Sequence, residues 1–218
     1  MKLIIANKNY STWSLRGWLA LRAFDVDFDE VELPLFTEEF YAEIAKYSDA
    51  AKVPVLVDGD IAVWDSLAIC EYVNDAYLSG RAWPESLANR AKARAISAEM
   101  HSGFMALRNE MPMNIRGRRK VSLSQDCLND IARIDDIWAS QMKEFGDKGG
   151  WLFGDYSIAD VMYAPVILRF ITYGVTLSAE AQRYANHALQ SAALQQWIEE
   201  SKKDTSIVSE DEAGVEVA

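Results

Sequence analysis

The sequence predicts an α/β domain followed by an all-helical domain, and three observations carry that reading. Over about the first 80 residues, apolar runs and helical stripes alternate in the order β-α-β-α-β-β-α. The stretch Ser79-Gly80-Arg81-Ala82-Trp83-Pro84 then breaks the pattern with Gly and Pro. Beyond it only helical stripes follow. The expected boundaries are 1–79 for the α/β domain, 80–86 for the linker, 87–202 for the helical domain and 203–218 for an acidic tail without fixed structure.

Each element has a local reason. Residues 3–6 are a continuous apolar run, as in a buried central strand. A polar loop, 7–12, leads into a helix over 13–24 with Leu15, Trp18 and Leu19 on one stripe. Gly17 inside that helix costs about 1 kcal/mol relative to Ala, which implies close packing against a strand. Phe28, Val31 and Leu33 alternate with acids, giving a half-exposed strand that Pro34 ends. Thr37 caps a short helix with Glu38 and Glu39 in its first turn. Strands at 55–57 and 61–63 flank the turn Asp58-Gly59-Asp60. Ile69, Tyr72, Val73, Ala76 and Tyr77 fall on one face of the next helix, capped by Asp65 or Ser66. In the second half, helices are expected over 86–110, 123–145, 157–173, 178–185 and 188–202. The third of these is apolar all round and therefore buried. It opens with Ser157-Ile158-Ala159-Asp160, a capping box in which Asp replaces the usual Glu.

Composition narrows the function. A net charge of −11 and a pI near 4.7 argue against nucleic acid and against anionic membranes as partners. No window is apolar enough to span a bilayer, and no signal peptide opens the chain. Cys70 and Cys127 form no CxxC and no disulfide framework, so a reducing, cytoplasmic setting is expected. His101 and His187 make no metal-ligand pattern, and no metal is expected. Arg116-Gly117-Arg118-Arg119-Lys120 reads as a solvated loop, with attraction of an anionic substrate as the other option.

The most informative stretch is 51–66. Pro54 stands at the mouth of a strand, where its missing N–H is harmless, and forces Val53 into extended geometry. A cis Val53–Pro54 bond would leave the Val53 backbone free to accept a peptide by strand addition. Asp65-Ser66 then opens a helix, and a helix N-terminus bearing a hydroxyl is a carboxylate site. Val53-Pro54-Val55-Leu56, the hairpin and Asp65-Ser66, together with the Ser157 capping box, resemble the cytosolic glutathione S-transferases, in particular the serine-type theta and zeta classes. The resemblance covers the chain except its tail. It implies a thioredoxin-like glutathione-binding domain joined to an all-α domain, in a homodimer that uses the helix after Asp65 and the first long helix.

That resemblance also implies residue roles. Glutathione would be the co-substrate, with Val53 pairing its cysteinyl backbone, Pro54 holding that geometry, and Asp65 and Ser66 taking the γ-glutamyl end. Lys52 would reach the glycyl carboxylate unless it is merely solvated, and Lys46 has the same standing. The thiol needs its pKa lowered from about 8.5, which a helix N-terminus and a hydroxyl donor both achieve. Ser11 aligns best with the family's serine, with Thr12 and Ser14 as alternatives and Tyr10 as a weaker one. Trp13 replaces the cysteine of the zeta-class Ser-Ser-Cys, which argues against isomerase activity. The second substrate, a small hydrophobic electrophile, is expected near Tyr10, Trp13, Phe104, Met105, Arg108, Met111 and Met113, most of which have core spacing. The implied activity is conjugation, as in detoxification. The alternatives are a non-catalytic binding module, or a glutathione-dependent peroxidase, disulfide reductase or isomerase.

Overall fold

The computed structural model describes residues 1–217. Strands β1 (Lys2–Ala6), β2 (Asp29–Leu33), β3 (Val55–Asp58) and β4 (Ile61–Trp64) form one sheet in the order β2-β1-β3-β4. β1 pairs parallel with β2, placing Ile4 opposite Val31, and antiparallel with β3, placing Leu3 opposite Leu56. The alternation of β1 assigns its side chains to two layers. Leu3 and Ile5 face helices α1 (Thr12–Arg22) and α3 (Ser66–Ala76), while Ile4 and Ala6 face α2 (Glu38–Ile44) with Phe40 and Ile44.

Gly17 has the expected reason: a Cβ there would lie 3.0 Å from Pro54 Cγ and 3.7 Å from Leu3 Cδ1. Gly59 turns the β3–β4 hairpin at φ 59°. Thr37 caps α2 by accepting from Phe40 N at 3.0 Å.

Helices α4 (Leu87–Ser102), α5 (Met105–Glu110), α6 (Gln125–Phe145), α7 (Ile158–Tyr173), α8 (Ala179–Ala188) and α9 (Ala192–Ser201) build the second half. The continuous helix expected over 86–110 is two helices. Gly103 ends α4 and Phe104 adopts a left-handed φ of 59° before α5 begins. Arg108 holds the break by donating to the Met100, His101 and Gly103 carbonyls, groups a continuous helix would have used itself. α7 is buried along almost its whole length. The Asp160 carboxylate caps it, accepting from Ser157 N at 2.9 Å and Leu152 N at 3.1 Å.

The tail differs most from expectation. It folds back as a strap in which β6 (Val215–Glu216) pairs with β5 (Arg119–Lys120). Arg119 donates to the Glu212 carboxylate and to the Glu212, Ala213 and Gly214 carbonyls. Arg116 donates to the Asp204 and Ser206 carbonyls. The basic cluster is therefore the clamp of the acidic tail rather than a solvated loop. Among the described residues no helix is long and apolar enough to cross a membrane.

Candidate active site

Two clefts meet where the two halves of the chain face each other. The first, about 540 Å³, is lined by Trp13, Ala50, Lys52, Val53, Pro54, Trp64, Asp65, Ser66 and His101. The second, about 650 Å³, lies between α1, α2, α5, α7 and the strap. Trp13, Lys52, Val53 and His101 belong to both, so the two clefts adjoin.

The first cleft is built by the hairpin. The Val53–Pro54 bond is cis. Asp65 sits at φ 77°, an uncommon conformation for a residue with a side chain, and caps α3 by accepting from Leu67 N at 2.9 Å and Ala68 N at 3.1 Å. Its other carboxylate oxygen accepts from His101 Nε2 at 3.0 Å. Ser66 Oγ is buried and has no hydrogen-bond partner, a costly state for a hydroxyl at a helix N-terminus. Lys46, by contrast, pairs with Glu43 in solvent and reaches neither cleft.

At the start of α1 the three candidate hydroxyls separate. Ser11 is the N-cap, accepting from Ser14 N at 3.3 Å, and it lines the second cleft together with Thr12. Ser14 is fully buried and lines neither cleft; its Oγ accepts from Ala6 N at 3.0 Å and fastens α1 to β1. The Ser11 and Ser14 hydroxyls are 2.7 Å apart. Trp13 lies between two guanidinium groups, Arg16 and Arg108, each with its carbon 4.8 Å from the ring centroid. Burial lowers the Arg16 pKa well below its usual value, and the neighbouring Arg108 and Arg169 charges add to that.

Of the residues expected around the second substrate, Tyr10, Trp13, Met105, Arg108 and Met113 line the cleft. Phe104 and Met111 do not: both are buried in the core, and Met111 Sδ lies 3.7 Å from Cys127 Sγ. Sequence reading missed Leu35, Phe36, Phe40 and Tyr41, which approach from the β2–α2 side, and Arg169 and Asp211. It also missed His101 as the link between the clefts. His101 ends the stripe of α4 just before Gly103, and that glycine was the available signal.

Arg169 is 6% exposed, and its Nη1 donates to the Met111 and Arg108 carbonyls. Burial, with a push from Arg108, lowers its pKa to about 10. Burial pushes the Asp211 carboxyl up to about 6 against the pull of Arg169. Burial likewise pushes the Cys70 thiol up to about 12, so it stays protonated at neutral pH. Among the described residues no group of three or more His, Cys, Asp or Glu could hold a metal.

The comparisons agree with this geometry. Residues 10–76 match the family model for the glutathione S-transferase N-terminal domain, and residues 86–203 match the one for the C-terminal domain. A probable maleylacetoacetate isomerase of Caenorhabditis elegans is 28% identical over 169 residues, 77% of each chain. Glutathione S-transferase 1 of Dianthus caryophyllus is 28% identical over 178 residues, 79% of this chain and 78% of that one. Among solved structures, a Burkholderia glutathione transferase homologue with bound glutathione superposes with a TM-score of 0.71 at 20% identity, covering 93% of this chain and 98% of that one. A bacterial zeta-class maleyl pyruvate isomerase gives 0.72 at 19%, covering 94% and 100%. The thioredoxin-like half, the helical half and the clefts between them thus have one explanation: this chain belongs to the glutathione S-transferase family.

Proposed function

We propose that the protein binds glutathione in the first cleft and uses its thiolate to attack an electrophilic carbon held in the second. The observation that carries this reading is Ser66 Oγ, buried without a partner at the N-terminus of α3 in the cleft that Val53 and Pro54 edge. A carboxylate of the tripeptide supplies the missing acceptor, favoured by the helix dipole. Lys52 and the Val53 backbone complete the tripeptide's seat, and Asp65 receives its amino group.

Activation falls to Ser11. Ser11 Oγ donates to Ser14 Oγ at 2.7 Å, and Ser14 Oγ also accepts from Ala6 N. With glutathione bound, the Ser11 hydroxyl rotates to donate to the sulfur, and Ser14 stays held through Ala6 N. The N-terminus of α1 adds its dipole, and the thiol pKa falls. Both reactants sharing one pair of clefts supplies the orientation. Thr12, on the same cleft wall, is the second candidate for this donor. Both cysteines are buried and free, which suits a reducing cytoplasm.

A second reading, glutathione-dependent isomerisation, is favoured by the relatives named maleylacetoacetate isomerase and by Arg108 and Arg169 in the cleft. It uses the same first step, with the thiolate later expelled rather than retained. Titration calorimetry with glutathione tests the common ground, and absence of binding at millimolar tripeptide sinks both readings. Turnover of chlorodinitrobenzene against that of a cis-enone diacid then separates them. The exposed Tyr77 ends α3 and the exposed Leu87 begins α4, the two helices that the family uses for dimerisation, and a monomer in gel filtration would reject the homodimer.

A further inference from the structure

We propose that Asp211 is a specificity-determining residue, carried into the wall of the second cleft by the strap, where its charge disfavours electrophiles that bear a carboxylate. This rests on the reading of the two clefts given above.

The strap is fixed in place. The Glu212 carboxylate accepts from Tyr10 Oη at 2.6 Å, Asn114 Nδ2 at 2.9 Å and Arg119 Nη1 at 2.6 Å, so one side chain ties the strap to the α1 loop and to two sites before α6. Gly214 holds φ 73°, and a Cβ there would lie 2.3 Å from the Lys120 carbonyl oxygen, so the β5–β6 pairing depends on glycine at this position. Val217 N donates to the Arg118 carbonyl at 2.8 Å, and Val208 is buried. Residue 211 thus has a defined place, and that place is the cleft wall.

The charges in that wall are unequal. Lys52, Arg108 and Arg169 line the cleft, and Asp211 is the one acidic side chain among the described residues that do so. Arg169 is the most deeply set of the cations that face it, and its field acts on Asp211. A substrate carboxylate drawn to Arg169 comes to rest beside Asp211, and two carboxylates sharing one cation repel. A neutral electrophile meets no such repulsion and packs against Phe36, Tyr41 and Met105, which are large, apolar and exposed. The strap therefore biases a cleft that carries three cations toward neutral, apolar electrophiles.

The test uses the full chain and two probes, S-(2,4-dinitrophenyl)glutathione and its analogue with the 4-nitro group replaced by a carboxylate. Affinities are measured by calorimetry at neutral pH for the parent protein, Asp211→Asn and Glu212→Gln, with glutathione alone as the control for the first cleft. The parent should prefer the neutral conjugate by about tenfold or more. Asp211→Asn should bring the two conjugates within about threefold by tightening the carboxylated one, and Glu212→Gln, which loosens the strap, should move the ratio the same way. A ratio identical in the parent and Asp211→Asn overturns the assignment, as does equal loss of both conjugates with glutathione still bound. Failure of the parent to bind glutathione or either conjugate sinks the reading of the clefts, and the proposal with it.

Discussion

Ser11 and Ser14 are three residues apart and hydrogen-bonded to each other, yet their surroundings assign them different work. Ser11→Ala removes the donor at the cleft and should lower kcat/KM by about 10²-fold, with the thiol pKa of bound glutathione rising. Thiolate absorbance titrated in the binary complex checks this, and an unmoved pKa transfers the role to Thr12. Ser14→Ala instead strands Ala6 N and should cost about 1–3 kcal/mol of stability. Denaturant unfolding reads that loss. Gly17→Ala sets two effects against each other: helix propensity gains about 1 kcal/mol, while a Cβ 3.0 Å from the rigid Pro54 ring costs about 1–3 kcal/mol. The clash should win, lowering stability and raising KM for glutathione as Pro54 shifts; a stabilised variant with normal KM would contradict this.

At the scale of elements, what could be read from the chain followed local chemistry. The hairpin, the Asp65 and Thr37 caps and the Ser157-x-x-Asp160 box are each set within a few residues, and the structure places them where those residues require. What escaped was determined across the fold. The α4–α5 break is stabilised by Arg108 reaching back to three carbonyls, and periodicity continues through it. The strap is acidic and short, so it reads as unstructured until Arg116 and Arg119 are seen beside it. Phe104 and Met111 have a pocket-like position in sequence, but the break turns them into the core. The Asp160 cap carries a pH signature. Burial pushes its carboxyl up to about 6, above the 3.8 of the unfolded chain, so the native state binds the proton more tightly. Its contribution to stability therefore declines as pH rises from about 4 to about 6. Asp160→Asn should flatten that slope by about 1–3 kcal/mol in thermal unfolding across the same window, whereas an unchanged slope would place the titration elsewhere.

For the whole molecule, the two halves share one core and one polar seam. Trp18 and Trp197 meet edge to face across the boundary with centroids 5.4 Å apart, and Trp197 Nε1 donates to the Lys8 carbonyl at 3.0 Å. Lys8 is 6% exposed, pairs with Glu30 at 2.6 Å and Glu200 at 2.5 Å, and lies over both indoles. Calorimetry should therefore record one unfolding transition rather than two. Lys8→Met leaves two carboxylates facing each other across the seam and should cost about 2–4 kcal/mol at neutral pH. Two resolved transitions in the parent protein would show that the seam does not couple the halves.

Residues far apart in sequence meet at the second cleft: Ser11 precedes α1, and Asp211 arrives with the strap 200 residues later. Synthesis therefore completes the wall of that cleft only when the strap emerges, after every strand of the four-stranded sheet and every helix from α1 to α9 has been made. A nonsense or frameshift lesion between Lys202 and Glu210 would remove Glu212, the partner of Tyr10 and Arg119, along with Asp211, and so disturb the loop before α1 as well as that wall. A point substitution at residue 211 is the change that alters the charge of this wall while leaving those ties in place.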